Sequence, residues 1–191
     1  YEVEAVNVFD PPEWFREISP MKRIPVLRDR GIAAEGVSGT IADSSAICGY
    51  VEKKHPETPL YPEEPYAYGR ALFVEEYADT ILAMTGGLGI FRPIFFSINE
   101  GKEPDLDSAR ASWAEKMPEI LRWLDSALGD DEFYAGNALS IADITVTTCI
   151  MQIALVTDAP LDAYPRLAAH QERMRARDSI AAPYARAERF I

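Results

Sequence analysis

Cysteine, basic side chains and long apolar runs are all scarce in this chain, and each scarcity removes a class of protein. Two cysteines in 191 residues, Cys48 and Cys149, build no disulfide framework and fit a reducing cytoplasm. Lys and Arg number 19 against 31 Asp and Glu. The resulting formal charge of −12 has the wrong sign for nucleic acid or an anionic membrane surface, so neither is expected as a partner. No apolar run approaches the length of about 18 residues that a membrane span needs. A basic stretch leading into an apolar leader is also missing from the start. The chain opens on Tyr1, without an initiator Met and directly in a strand-like pattern, so a native segment is expected upstream.

What is present begins as an α/β pattern. Tyr1, Val3 and Ala5 alternate with acids over residues 1–8, as in a strand. "FDPPEWFREISP" reads as a short helical connector bounded by prolines, and Ile24–Leu27 as a second strand. "GIAAEGVSGTIA" reads as a turn leading into a third. A helix follows Asp43, with Ala46, Ile47, Tyr50 and Val51 on its apolar face and His55-Pro56 at its end. Short strands alternating with helical pieces indicate a small α/β domain.

The character changes at "HPETPLYPEEPY", where Pro56, Pro59, Pro62 and Pro65 make an extended linker. The expected division is an α/β domain over 1–56, a linker over 57–65 and an all-helical domain over 66–191. In the helical part, Phe73, Tyr77 and Ile81 recur every four residues beside Leu72 and Leu82. Trp113, Met117, Ile120, Leu121, Leu124 and Leu128 form the cleanest amphipathic stripe, with Pro118 expected to bend it. "ITVTTCIMQIALV" (144–156) is apolar nearly all round, as in a helix wrapped by others. Ahead of it, Ser140 and Asp143 have capping-box spacing and Leu139 and Ile144 the spacing of a hydrophobic staple. Two further helical segments cover about Tyr164–Arg177 and Ile180–Arg189.

The acid and hydroxyls at the Asp43-Ser44-Ser45 junction suit helix capping, worth about 1 kcal/mol. The order of motifs suggests more. "SPMKRIPVL", then "IADSSAICGYVEKKHP", then "LSIADITV" beyond a proline-rich linker, resembles the cytosolic glutathione S-transferase family across essentially the whole chain. The resemblance implies a thioredoxin-like N-terminal domain, with its first strand and helix upstream of Tyr1, followed by a helical bundle. It implies a cis-proline at Pro25, with the Ile24 N–H and C=O pairing with the cysteinyl part of glutathione like an added strand. Ser44, at a helix N-terminus, would take the γ-glutamyl carboxylate, and Asp43 the neighbouring ammonium. Arg23 stands where the family often has Lys, and Lys22 replaces its Gly; either cation suits the glycyl carboxylate.

The resemblance also puts the thiol-activating Tyr, Ser or Cys upstream of Tyr1, so no catalytic residue is named here. Cys48, inside a helix by its spacing, is a poor substitute. A hydrophobic electrophile would lie between the domains, near "MTGGLGIFRPIFFSINEG", where Gly86, Gly87 and Gly89 loosen the backbone and Pro93 breaks a helix. Phe91 and Trp113 are the candidate pocket wall. The expected protein is a cytoplasmic homodimeric glutathione transferase using glutathione as co-substrate and no metal. Alternatives are a non-catalytic binding or assembly module, or a glutathione-dependent reductase, dehalogenase or isomerase on the same fold.

Overall fold

The structure is a computed structural model and describes residues 1–187. It divides into two units, Tyr1–Pro59 and the remainder from Leu60. In the first, the Pro12 carbonyl accepts the N–H groups of Phe15 (3.0 Å) and Arg16 (3.2 Å) and starts α1 (Glu13–Ile18), which buries Phe15 and Ile18. Strands β1 (Leu27–Arg28) and β2 (Thr40–Ile41) pair antiparallel, Leu27 opposite Ile41 and Arg28 opposite Thr40. The connecting turn is closed by Asp29 N–H on the Gly39 carbonyl at 2.8 Å. Gly39 has φ +72°, and a Cβ there would lie 2.9 Å from the Asp29 carbonyl oxygen, so the turn needs glycine. Helix α2 (Ser44–Lys54) follows, with His55 at its C-cap as the sequence indicated.

Two strand expectations are corrected. Residues 1–8 form no strand: 1–7 have no regular structure, residue 8 begins a turn, and Tyr1 and Val3 are exposed. Strand-like composition becomes a strand only beside a pairing partner, and among the described residues β1 and β2 are the only sheet. An exposed Arg30–Glu2 ion pair of 2.8 Å links this segment to the hairpin turn. Pairing of the second expected strand starts at Leu27, leaving Ile24, Pro25 and Val26 outside the ladder.

The second unit is helical. Glu64 caps α3 (Pro65–Tyr77) by accepting the Tyr66 and Ala67 N–H groups at 3.0 and 2.7 Å. Pro65 takes the first helical position, where its missing N–H costs nothing. The helix continues through two π-wound stretches, Ala78–Leu82 and Met84–Phe91, into α4 (Arg92–Asn99), giving an unbroken helix over Pro65–Asn99. Pro93 therefore does not break it. The π winding upstream moves the preceding carbonyls out of the α-helical register that a proline ring would strike.

Its buried stripe is Ala71, Val74, Ala78, Leu82, Gly86, Ile90 and Ile94, whereas Phe73 and Ile81 of the expected stripe are 53% and 46% exposed. Both stripes have a period near four, and periodicity alone cannot choose between neighbouring apolar faces. Four residues overshoot one α-helical turn by about 40°. The wider π turns offset that drift and keep one stripe inward. Small residues on it admit α7 (Ile141–Ala154): a Cβ at Gly86 would lie 2.4 Å from Ile153 Cδ1. A Cβ at Gly89 would lie 2.6 Å from Ser112 Oγ on α5 (Leu106–Glu115). These two glycines permit close packing; they do not loosen the helix.

By length and composition Pro65–Asn99 also meets the requirement for a membrane span, although it contains no unbroken apolar run of that length. Its inner stripe packs against α5 and α7, and 22% of its most apolar 18-residue window is buried.

Helix α6 (Met117–Leu128) buries Met117, Ile120, Leu121, Leu124 and Leu128, and Pro118 stands in its first turn, separated from α5 by Lys116. Helix α7 buries eight of its residues, as its all-round apolarity indicated. Helices α8 (Pro165–Arg175) and α9 (Asp178–Ala187) complete the description; the expected helix end at Arg189 lies outside the described residues. Leu139 and Ile144 both pack against the cluster of Phe133, Met151, Met174 and Ile180.

Candidate glutathione site

The hairpin register organises the site. The ladder ends with Leu27 opposite Ile41, so the chain entering β1 from Ile24 and Pro25 and the chain leaving β2 toward Asp43 and Ser44 lie at the same end of the hairpin. All four leave the hairpin at one end, and all are exposed. The Ile24–Pro25 peptide bond is cis. Ile24 is 61% exposed, and among the described residues nothing pairs with its N–H or C=O.

Asp43 caps α2 in an extended conformation, φ −153° and ψ 134°, and its Oδ1 accepts the Ala46 N–H at 2.9 Å. One carboxylate oxygen is thus used by the helix, while Oδ2 has no partner among the described residues. The N–H groups of Ser44 and Ser45, at the first two helical positions, are also without acceptors there. An exposed anion, free N–H groups at a helix start and an unpaired stretch of main chain can together receive a peptide-like zwitterion.

Lys22 and Arg23 are exposed and enter no ion pair among the described residues. Lys22 adopts φ +55°, a left-handed conformation that glycine takes without steric cost. Phe91 and Trp113 belong to the other unit. Phe91 stacks on Phe95, ring centroids 4.8 Å apart, and the Gly89–Ser112 contact holds its helix against α5, which carries Trp113. No ring contact joins Phe91 to Trp113 among the described residues.

Cys48 is half-buried on α2. Burial pushes the Cys149 thiol up to about 12, with the nearby Asp79 charge adding to the rise, so that sulfur stays protonated. Among the described residues no group of three or more His, Cys, Asp and Glu side chains could hold a metal ion.

The first unit also contains a clasp that spacing did not reveal. Asp29, directly after β1, accepts hydrogen bonds from Lys54 Nζ and Tyr50 Oη on α2 and from the Gly31 N–H at 2.8 Å. Its side chain is 12% exposed. Lys54 foremost, then Tyr50 and Gly31, lower its pKa from the usual 3.8 to about 2. Because the folded value is depressed, this clasp stabilises the fold fully above about pH 4 and progressively less as pH falls toward 2. The thermal midpoint of Asp29→Asn should lie below that of the parent chain at pH 6 and converge on it near pH 2. A constant gap across that range would remove Asp29 from the acid response.

The folded arrangement agrees with known proteins. A model of the glutathione S-transferase N-terminal domain matches residues 1–59, and one of the C-terminal domain matches residues 90–186. The chain belongs to the glutathione S-transferase family. Probable glutathione S-transferase parA of Nicotiana tabacum is 28% identical over 148 residues, covering 76% of this chain and 58% of its own length. Glutathione S-transferase theta-1 of Mus musculus is 27% identical, covering 85% of this chain and 65% of its own. The chain thus spans less than two thirds of either relative. A glutathione S-transferase from Rhodospirillum rubrum shares the fold with a TM-score of 0.77 at 24% identity, covering 91% of this chain and 75% of that one. The family assignment makes the first unit thioredoxin-like and the second the family's helical domain.

Proposed function

We propose that this glutathione-transferase chain binds glutathione through Ile24, Pro25, Asp43 and Ser44, with Arg23 and Lys22 at the glycyl end. It promotes attack of the glutathione thiolate on a hydrophobic electrophile. The observation that carries the reading is the β1–β2 register, which brings an unpaired main-chain segment and a half-used carboxylate to the same end of one hairpin.

The chemistry is complementary group by group. The α-amino acid end of the γ-glutamyl residue presents an ammonium and a carboxylate side by side, matching Asp43 Oδ2 and the Ser44 N–H and hydroxyl. The cysteinyl amide matches the Ile24 N–H and C=O and holds the sulfur near that strand. A free thiol has a pKa of about 8.5, so conjugation at neutral pH also needs a donor that stabilises the thiolate. The reading assigns that donor, following the family pattern, to a residue upstream of Tyr1. With a chloronitroaromatic acceptor, the C–S bond forms, the C–Cl bond breaks, chloride leaves and the thiol proton passes to solvent. Phe91 and Trp113 are the ring surfaces offered to such an acceptor. The proposal includes a cytosolic homodimer.

Ser44→Ala tests the binding half. Ser44 does not cap α2, and alanine is favourable in a helix, so the fold should be unaffected. Calorimetric titration should show glutathione binding about tenfold weaker, as expected for one hydrogen bond to a charged group. Unchanged affinity would remove Ser44 from the site. Turnover of the chloronitroaromatic by the protein carrying this chain tests the transfer half separately.

A further inference from the structure

Ser19 is fully buried, at the head of a loop whose next six residues are all exposed. Every polar group it has is engaged. Its N–H donates to the Phe15 carbonyl at 2.9 Å, and its carbonyl accepts the Lys22 N–H at 2.9 Å. Its hydroxyl donates to the Arg23 carbonyl at 2.8 Å and accepts the Arg23 N–H at 3.1 Å. A single side chain thereby satisfies both main-chain groups of Arg23. The residues between are closed into a ring that includes the left-handed Lys22.

The consequence falls on the next residue. The Arg23 main chain is fully paired, Leu27 is the first residue in the ladder, and Ile24 between them has both main-chain groups unpaired among the described residues. Residues 24–26 are therefore held from both ends without being used. A helix C-cap alone would not require this. The C-cap function of Ser19 is met by its own N–H, whereas the hydroxyl points forward to the Arg23 main chain.

We infer that Ser19 is a positioning residue for glutathione recognition: its buried hydroxyl fixes Arg23 so that the Ile24 main chain is presented to the ligand. The inference rests on the glutathione reading above. The hydroxyl touches no ligand itself; it limits the conformations residue 24 samples before binding, so its loss appears as weaker affinity.

The test compares glutathione titrations of the parent chain, Ser19→Ala and Ser19→Thr, with Tyr134→Phe as a control. That control removes a buried hydroxyl bonded to the Leu124 carbonyl, in the other unit. Ser19→Ala should weaken binding about tenfold, and Ser19→Thr, which keeps the hydroxyl, should restore it to within about threefold. The control should lower the thermal midpoint without changing the dissociation constant. The Arg23 amide should exchange faster with solvent in Ser19→Ala and not in Ser19→Thr. If Ser19→Ala does not accumulate folded, Ser19→Cys, with similar shape and a weak donor, replaces it. Parent-like affinity in the alanine variant, or equal weakening in the alanine and threonine variants, overturns the positioning role alone. Failure of the parent chain to bind glutathione overturns the glutathione reading, and this inference with it.

Discussion

Replacing Asp143 by alanine should destabilise the folded chain by several kcal/mol, because it takes the acceptor from four buried hydrogen-bonding groups. Asp143 is fully buried at the start of α7. Its Oδ2 accepts the Ser140 N–H at 2.9 Å and the Ser140 hydroxyl at 2.8 Å. Its Oδ1 accepts the Tyr134 N–H at 2.9 Å and lies 2.9 Å from His170 Nε2. The alanine variant leaves these groups in the core without an acceptor, at about 1–3 kcal/mol for each that finds no substitute. Against the 5–15 kcal/mol typical of a whole domain, that is a large fraction. Urea unfolding should show a lower midpoint at an unchanged slope. Asp143→Asn, which keeps one acceptor oxygen, should fall between the two. A loss under about 1 kcal/mol in the alanine variant would show that the network adds little to stability.

Asp43→Asn should weaken glutathione binding by about 10–100-fold while leaving the thermal midpoint where it is. Asparagine caps a helix as well as aspartate, so the Oδ1 bond to Ala46 survives and α2 is preserved. Only the negative charge is removed, and with it the attraction to the γ-glutamyl ammonium, a charge-assisted contact worth about 1.5–3 kcal/mol. Because Asp43 is exposed, the difference between parent and variant should shrink as salt is raised. Equal affinities at low salt would assign Asp43 to capping alone. The variant separates capping, which uses Oδ1, from the proposed contact to the ammonium, which would use Oδ2.

The parts read correctly from sequence are those in which neighbours along the chain decide the outcome. The α2 junction, the α6 stripe, the capping box and the burial of most of α7 are set by residues within one or two helical turns of one another. The parts misread depended on something farther away. Residues 1–8 have strand composition, but a strand also requires a second chain segment in register. The Phe73–Tyr77–Ile81 stripe has the right period and the wrong phase, because the choice of inward face was made by Gly86 and Ile153 packing across helices. Pro93 signals a break only in an α-helix, and the stretch before it is π-wound.

At the candidate site, local sequence indicated the helix start at Asp43 and Ser44, and the motif a cis bond at Pro25; the structure has both. Ser19 escaped notice because a serine before a proline in a loop is ordinary in sequence. Only burial and two bonds to Arg23 distinguish it. Asp29 was missed because its partners Tyr50 and Lys54 lie some twenty residues on, beyond any local pattern.

The amino-acid sequence by itself determined that the chain beyond the linker is helical, where α2 and α7 start, and that an acid, a hydroxyl and a proline stand beside two short strands. These outcomes depend on hydrogen bonds and side-chain spacing within a few residues, which the order of residues states directly. Only the tertiary structure decided which helix face turns inward, where strand pairing begins, and which main-chain groups remain unpaired. Those depend on contacts between distant segments competing for the same surfaces, and the winner is set by shape and register in three dimensions.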